Sequence, residues 1–515
     1  MSPDARPEFV LETADAAPQI AALSSRFSLV DGERRTVRRS WLDTFDWRLH
    51  DAGLVLEHLI GENVSDLLLH TADGERLRQP ATMTWPAHPE ALPPGPIRDL
   101  LAEVAAERAL LVLAEIGSDL HDVRVLNGDE KTVVRLTIDR ATVVSPIEAE
   151  LAPRLAVVPV RGYAAQAGRV ANALAEAPGI APADSPQVEA VLAAAGRRPG
   201  DYTGKVDVTL SASMPAPAAV ATILLHLLDT AEVNLDGTLA DVDTEFLHDL
   251  RVAVRRTRSA VKLAGSVLPD GLADRFGPEF KWLGDLTTPT RDLDVYLLGF
   301  DDLAAGLEAA DPADLRPFRT YLGRQRGLER RKLLRGLRSA RFTALRRDWR
   351  AALTEVLDSP EETGESAGQL ASSRLRKAYR RVVKRGVAIT TESPGEELHD
   401  LRKRCKELRY LLEFFASLAD PAEHKKVVKT LKAFQDCLGE FQDGEVQRDT
   451  IRGYASMMMT EGTAPAATLL AMGELAARLD AQQRRARAEF AGRFDRFMKT
   501  RSRARMEHLI QAVAG

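Results

Sequence analysis

The spacing of apolar positions in this 515-residue chain changes near residue 216. Before that point, segments such as 131–139 and 204–211 alternate apolar and polar residues, which is typical of half-buried β-strands. A broad apolar face at about 95–117 predicts a helix among them, and 177–186 predicts a loop. After 216, long segments rich in Ala, Leu and Arg have a helical period up to the C-terminus. The pattern predicts an α+β chain in which mixed structure precedes an all-α part.

One helical segment occurs twice in the second part of the chain. The sequence Leu-His-Asp-Leu-Arg at 247–251 returns at 398–402, an offset of 151 residues. The same offset aligns further pairs: Lys281 with Lys432, Asp285 with Asp436, and Asp292 with Asp443. Helix-breaking stretches at 358–367 and 391–396 lie between the copies and just before the second motif. The chain therefore contains a duplicated helical unit.

Each copy places a row of basic residues beside a seam of apolar residues. The seam positions are spaced three and four apart, which predicts burial against neighbouring helices. Each basic residue follows a seam residue by one, so the row lies about 100° around the helix axis from the core. The rows contain His248, Arg251, Arg255, Arg258 and Lys262 in the first copy, and His399, Arg402, Lys406 and Arg409 in the second. The first row is about 21 Å long at about 1.5 Å per residue, far more than one phosphate needs.

Charge is distributed unevenly along the chain. The whole chain has a net charge of −5, but residues 1–240 hold 21 Lys and Arg against 34 Asp and Glu, a net charge of −13, and the remainder has +8. The clusters of cations at 315–350 and 374–385 have few acidic residues of their own. Cations at that density repel one another unless counterions or a bound polyanion relieve the repulsion. A solvated, ion-paired face stays open as an alternative, because aspartates such as Asp249 and Asp400 recur as well.

These motifs resemble the CHAD family, the conserved-histidine α-helical domain. The resemblance covers about 218–505 and includes the Lys-x-x-x-Asp sequence at 281–285 and Arg-Asp-Leu-Asp-Val at 291–295. It implies two pseudo-symmetric four-helix bundles, at about 218–356 and 368–505, which enclose a basic groove that binds inorganic polyphosphate. The implied binding residues are the two rows named above together with Lys281 and Lys432. The second copy departs from the pattern at Glu413, and an association with polyphosphate granules stays open.

The first 212 residues resemble a CYTH domain, the triphosphate-tunnel fold, which implies an antiparallel β tunnel or barrel. The segment 43–56 is similar to that family's strand-turn-strand segment. The family opens with Glu-x-Glu-x-Lys, whereas this chain has Glu8, Glu12 and then Thr13, so the spacing and the lysine are both missing. A triphosphate needs cationic donors, which this acidic part lacks. We therefore expect a degenerate, non-catalytic domain, with a metal-dependent inorganic triphosphatase as the alternative.

Other chemistry finds little support in the sequence. Cys405 and Cys437 stand where the other copy has aliphatic residues, which favours core positions. The repeated histidines have no carboxylate or thiol at a clear ligand spacing, so we expect neither a metal nor a cofactor. The arginines at 34, 35, 38 and 39 form a basic patch that is either a solvated face or a remnant phosphate site.

The remaining expectations concern partners and location. Nucleic-acid binding shares the electrostatics but predicts stacking aromatic residues, of which the helical part has few. The N-terminus lacks a basic segment followed by an apolar one, and no uncharged apolar stretch reaches about 18 residues, so we expect a cytoplasmic protein without a membrane partner. Bound phosphates would raise the pKa of the repeated histidines, because negative neighbours favour the charged imidazole.

Overall fold

The structure, a computed structural model, describes residues 7–13, 16–358 and 364–515. The chain divides into two compact units, Met1–Thr203 and Gly204–Gly515. The amino-terminal unit contains a sheet and short helices, whereas the described part of the carboxy-terminal unit is built from helices. The predicted α+β class, with mixed structure before an all-α part, is confirmed.

One antiparallel sheet organises the amino-terminal unit. Its strands are β1 (Glu8–Leu11), β2 (Ser28–Asp43), β3 (Leu54–Gly61), β4 (Val64–Thr71), β5 (Arg76–Pro80), β6 (Leu111–Leu126), β7 (Thr132–Ser145), β8 (Ala149–Glu150), β9 (Arg154–Pro159) and β10 (Ile180–Pro182). Its helices are α1 (Ala17–Ser24), α2 (Arg48–Asp51), α3 (Pro96–Ala105), α4 (Ala164–Ala175) and α5 (Gln187–Ala194). The strand order is β10-β1-β9-β7-β6-β2-β3-β4-β5, and β8 pairs with β7.

Apolar side chains of the helices and strands form the core of this unit. Leu101 of α3 joins Leu67 of β4 in one cluster, and Val170 and Leu174 of α4 join Leu136 of β7 in another. The alternation at Leu136 and its neighbours is what the sequence pattern detected, because successive strand residues point to opposite faces. The sheet therefore has apolar contacts with helices that lie far apart in the sequence.

Two predictions in this unit are only partly right. The predicted strand at 131–139 lies in β7, but the predicted helix at 95–117 ends with α3 at Ala105. Ala106 has a positive φ of 48°, which a helix does not allow, and Leu111 already begins β6. A run of leucines and valines at 110–113 fits a helical face and a buried strand equally well. The predicted loop at 177–186 contains the short strand β10.

The carboxy-terminal unit consists of twelve α-helices within the described residues. They are α6 (Ala216–Val233), α7 (Leu235–Ala240), α8 (Thr244–Ala264), α9 (Leu272–Leu298), α10 (Phe300–Ala305), α11 (Arg316–Leu337), α12 (Ala340–Asp358), α13 (Ala367–Ala388), α14 (Gly395–Phe414), α15 (Pro421–Thr460), α16 (Ala466–Phe497) and α17 (Thr500–Ala512). Helices α6 and α13, and likewise α8 and α14, begin at positions that differ by the 151 residues of the sequence repeat. The duplication is therefore visible in the order of the elements.

The predicted strand at 204–211 is wrong. These residues form no strand: Gly204 and Lys205 form a bend, the residues after them have no regular secondary structure, and Leu210 is buried in the helical core. Side chains of the helical unit satisfy the segment's backbone: Asp207 N donates to His226 Nε2 at 3.3 Å, and Leu210 N donates to Ser417 Oγ at 3.1 Å. Val206 and Val208 pack against the same core as Leu210, so this irregular segment buries alternate residues as a strand would, and the sequence pattern was the same.

One helical stretch, Ala216–Ala240, is long and apolar enough to cross a membrane by length and composition, which is weak support for a span. In the structure 61% of its most apolar window is buried inside the protein. Its leucines, such as Leu224 and Leu227, belong to the core of the helical unit. A buried core helix can be as long and as apolar as a membrane span, so length and composition alone do not distinguish the two.

Candidate functional site

The two copies of the repeated motif lie on α8 and α14, which contact each other. Their seams are buried as predicted: Leu250 is 0% and Val254 2% exposed in α8, and Leu401 and Cys405 are both 0% exposed in α14. The Asp243 carboxylate caps the start of α8 by accepting from two backbone amides. The buried seams fix the rotation of each helix and thereby the position of its basic row.

Basic residues of both copies meet at Lys406 of α14. Burial is the largest cause that lowers the pKa of Lys406 to about 8, and nearby cations add to it: Arg402, Arg255 and Arg409. The carboxylate of Asp443 acts in the opposite direction. Arg255 belongs to α8, so like charges from the two copies repel one another at this point. An anion bound here would relieve that repulsion.

Tyr410 joins the two copies at the same place. The guanidinium carbon of Arg255 lies 5.8 Å from the centre of the Tyr410 ring, and that of Arg409 lies 5.9 Å from it, both within cation–π range. The Tyr410 hydroxyl and Arg255 Nε are buried and have no hydrogen-bond partner in the described part of the protein. The sequence did not single out Tyr410 because the first copy has Ser259 there; its position next to Arg409 was the one available signal.

The structure thus brings five of the predicted residues into one group. Arg251 is close enough to Arg255 and Tyr410 for their charges to affect its pKa, which burial lowers most. We call this group the central cluster; it consists of Arg251, Arg255, Arg402, Lys406 and Arg409.

Arg251 and Arg402 make equivalent ion pairs at the edge of the central cluster. Arg251 Nη2 lies 3.6 Å from Asp292 Oδ1, and Arg402 Nη2 lies 3.1 Å from Asp443 Oδ1. The repeat offset relates the two pairs, so the aspartates recur because they repeat a contact. Both carboxylates are about 60% exposed, and ion pairs open to water contribute little free energy. Ion pairing is therefore a sufficient explanation for these aspartates but leaves Arg255 and Lys406 unexplained.

Two further ion pairs join the copies with opposite charges at equivalent positions. Arg256 Nη2 of α8 lies 3.0 Å from Glu413 Oε2 of α14, and Lys262 Nζ lies 2.7 Å from Glu407 Oε1. The offset makes Arg256 equivalent to Glu407, and Lys262 equivalent to Glu413. The two pairs are therefore one contact repeated by pseudo-symmetry, and the departure at Glu413 has a structural reason. Lys262, a predicted binding residue, contacts a carboxylate in this arrangement.

The two repeated histidines have different neighbours. His399 Nδ1 contacts Oε1 of Gln442, whose equivalent in the first copy is Arg291. Arg291 donates to the Glu245 carboxylate at 3.0 Å. Burial is the largest cause that lowers the pKa of His248, while Glu245 raises it and Arg291 lowers it. The protein alone therefore favours a neutral His248 at neutral pH, and the raised pKa expected from the sequence requires bound phosphates.

The remaining predicted residues, Arg258, Lys281 and Lys432, are exposed. A Cβ atom at Gly284 of α9 would lie 2.9 Å from Arg258 Nη1, so the glycine allows this guanidinium to approach the helix that also carries Lys281. None of the three makes an ion pair among the residues that the structure describes. These side chains are available to an anion beside the central cluster.

The amino-terminal unit pairs its charged side chains with one another. The pairs are Glu8 with Arg154 at 3.1 Å, Arg39 with Glu57 at 2.6 Å and with Asp139 at 2.9 Å, and Arg35 with Asp122 at 2.6 Å. They occupy cations that a triphosphate would need, and for these arginines they favour an ion-paired face over a remnant phosphate site. Within residues 7–13, 16–358 and 364–515, no group of three or more His, Cys, Asp or Glu is placed to hold a metal ion.

Comparisons with known proteins give the following similarities. The family model of the CHAD domain matches residues 222–452. A CHAD domain structure from the plant Ricinus communis is 25% identical, with 56% of this chain and 96% of that chain covered and a TM-score of 0.46. PptA from Streptomyces chartreusis is 17% identical, with 55% and 99% covered and a TM-score of 0.43. No curated protein matches the sequence.

A candidate adenylate cyclase from Bacillus halodurans is 13% identical, with 36% of this chain and 96% of that chain covered and a TM-score of 0.27. The antiparallel sheet itself agrees with the fold that the CYTH resemblance implied. In the helical unit, the family match spans both Leu-His-Asp-Leu-Arg motifs, which lie on the equivalent helices α8 and α14. Residues 222–452 of this chain form a CHAD domain.

Proposed function

We propose that the helical unit binds inorganic polyphosphate in a basic groove between α8 and α14. The observation that carries the proposal is the central cluster, in which cations of both copies converge and the pKa of Lys406 falls to about 8. Bringing like charges together in partly buried surroundings is unfavourable unless an anion is bound. Arginines offer paired donors to phosphate oxygens, and a phosphate chain presents such oxygens at every unit.

A linear chain fits this arrangement better than a single phosphate. The basic row of α8 extends about 15 Å from His248 to Arg258 at about 1.5 Å per residue, and Lys262 would extend it once a phosphate replaced Glu407. In the second copy, His399 and Lys432 complete the proposed set of ligands. Affinity should therefore increase with the number of phosphates until the groove is filled, because each added phosphate releases counterions.

The amino-terminal unit takes no part in catalysis in this proposal and serves as a scaffold or a surface for partners. The ion pairs of Arg39 and Glu8 support this, because they neutralise the groups that a triphosphatase would use. We propose a cytoplasmic protein that needs neither metal nor cofactor. Incubation with tripolyphosphate and Mg²⁺ or Mn²⁺ tests this part, and release of phosphate above that of a buffer control would overturn it.

The binding proposal is tested by a salt-titrated affinity series over polyphosphate lengths. The groove variant is Arg255→Ala with Lys406→Ala, and the control is Arg319→Ala with Arg341→Ala, two exposed arginines on α11 and α12. We expect the groove variant to lose at least about tenfold in affinity and to lower the salt slope by about 1.5 to 2. Equal behaviour of the groove variant and the control would overturn the proposal.

A competition experiment separates polyphosphate from nucleic acid. The two polymers share phosphate chemistry, but single-stranded nucleic acid adds base stacking on exposed aromatic rings. Tyr410, the aromatic residue beside the central cluster, is only 3% exposed and stacks with Phe414. We expect long-chain polyphosphate to displace labelled polyphosphate at constant salt far better than single-stranded RNA with the same number of phosphates. Equal displacement would favour a nucleic-acid ligand.

A further inference from the structure

Helix α13 carries a second concentration of positive charge that the groove does not use. Residues 374–385 contain seven Lys and Arg and no acidic residue. One face of the helix, including Ala371, Leu375 and Val382, is buried in the core of the helical unit. The cations on the opposite face are exposed to solvent: Arg376, Lys377, Arg380, Arg381 and Lys384.

The cations of α13 differ from those of α11 and α12 in their partners. The cations of α11 and α12 look equally unbalanced in the sequence, but carboxylates from other elements pair with several of them, as Asp301 does with Arg319 and Glu279 with Arg341. On α13, Arg385 pairs with Asp400. The five exposed cations have no ion pair within the described part of the chain. Their charge is therefore not compensated inside the protein.

These cations line two adjoining surface cavities that are open to solvent. All five line a cavity of about 740 Å³, together with the hydroxyl-bearing Ser373. Three of them, Arg376, Arg380 and Lys384, also line a cavity of about 440 Å³, to which α17 contributes Arg503 and one carboxylate, Glu507. None of the residues assigned to the groove lines either cavity. The surface is therefore separate from the groove between α8 and α14.

The spacing of the shared cations suits an extended anion. Arg376, Arg380 and Lys384 follow one another at four-residue intervals, so they form one row along α13 that extends about 12 Å. Lys377 and Arg381 form a parallel row beside it. Tyr379, the nearest aromatic residue, is only 8% exposed, so the surface offers no stacking platform for bases.

We propose that this α13 face is a second binding site for a linear polyphosphate chain. The choice of ligand rests on the proposed function, whereas the site itself rests on the unpaired cations and the cavities. A chain long enough to reach both sites binds more tightly than a short one, because occupation of one site raises the effective concentration at the other. A long chain also links two protein molecules when its ends occupy different copies.

The test uses the full-length protein and measures how many tripolyphosphate molecules it binds by calorimetry. The α13 variant is Arg376→Gln with Arg380→Gln and Lys384→Gln. The control neutralises three exposed, paired arginines elsewhere: Arg319→Gln, Arg341→Gln and Arg347→Gln. We expect two bound molecules for the parent and the control and one for the α13 variant, whose affinity for long-chain polyphosphate falls at least about tenfold.

The outcomes separate this inference from the proposed function. A stoichiometry of two in the α13 variant overturns the second site. If instead the Arg255→Ala and Lys406→Ala variant keeps both molecules while the α13 variant loses one, the groove assignment fails and the second site stands. The pair Lys377→Gln and Arg381→Gln provides an independent variant of the same face, with circular dichroism melts to verify folding. Displacement of polyphosphate from this face by single-stranded RNA would overturn the choice of ligand.

Discussion

If the helical unit binds polyphosphate as proposed, Lys406 should make this binding depend on pH in a range where ordinary lysines do not titrate. Its pKa is about 8 in the protein alone, because burial and the neighbouring cations disfavour the charged ammonium. A bound phosphate favours the ammonium and moves this pKa back toward the ordinary 10.5. Because the pKa is higher in the complex, binding takes up a proton, and affinity must decrease as pH rises.

The magnitude follows from the two pKa values. If the bound phosphate fully restores the ordinary pKa of 10.5, proton linkage weakens binding about tenfold between about pH 7 and about pH 9. Partial restoration gives a smaller change of the same sign. Lys406→Arg removes the effect, because a guanidinium keeps its charge throughout this range. The variant should therefore bind more tightly than the parent at the upper end of the range.

The assay is a fluorescence anisotropy titration with end-labelled long-chain polyphosphate at constant ionic strength. The matched control is Lys332→Arg, the same exchange at a lysine of α11 that pairs with Glu329 outside the groove. We expect the parent and the control to lose affinity in parallel, while Lys406→Arg loses less than about twofold. The reasoning is refuted if the parent changes less than twofold, or if Lys406→Arg follows the control.

Three further predictions follow from the same contacts. The parent should bind polyphosphate more tightly as pH falls from about 7 to about 5.5, because bound phosphate favours the protonated His248. The variant His248→Gln should gain less affinity over this range. An equal gain in affinity for the parent and the variant would contradict the prediction. The double variant Asp292→Asn with Asp443→Asn should strengthen binding about two- to fivefold in the same assay, because it frees Arg251 and Arg402 from their ion pairs. Unchanged affinity would place these two arginines outside the binding site. The variant Arg256→Met should lower the free energy of unfolding, measured in urea, by about 1.5–3 kcal/mol, because Glu413 loses a partly buried partner. A loss below about 0.5 kcal/mol would show that the contact between Arg256 and Glu413 contributes little to stability.

The basic rows of α8 and α14 were visible in the sequence because both of their determinants are local. The seam and the basic row depend only on positions three or four residues apart on one helix, and the second copy repeated both. Burial of Leu250 and Leu401 then fixed the rotation of α8 and α14. The contribution of Tyr410 was not visible, because it depends on contact between the helices and is absent from the first copy.

What failed depended on partners that are distant in the sequence. Residues 204–211 have the apolar period of a strand, but whether another strand or a helix covers them is decided elsewhere in the chain. The cations of 315–350 seemed to lack carboxylates, yet Asp241 lies 2.7 Å from Arg326 and Glu232 lies 2.7 Å from Arg350. Local counting of charge therefore overestimated the free cations on α11 and α12 more than on α13, where Arg385 is the residue of 374–385 with an ion pair within the described part of the chain.

The ion pairs between the copies explain why the duplicated helices have diverged where they have. Had both copies kept the residues of the first, Arg256 would face a lysine at the position of Glu413, and two such contacts would repel. Had both copies kept the residues of the second, Glu407 would face a glutamate at the position of Lys262, and these contacts would repel as well. Opposite charges in the two copies remove this repulsion and make the pairing of unlike copies more favourable than the pairing of like ones. The helical unit thus brings like charges together in the central cluster, where an anion can compensate them, and places ion pairs between α8 and α14 immediately beside it.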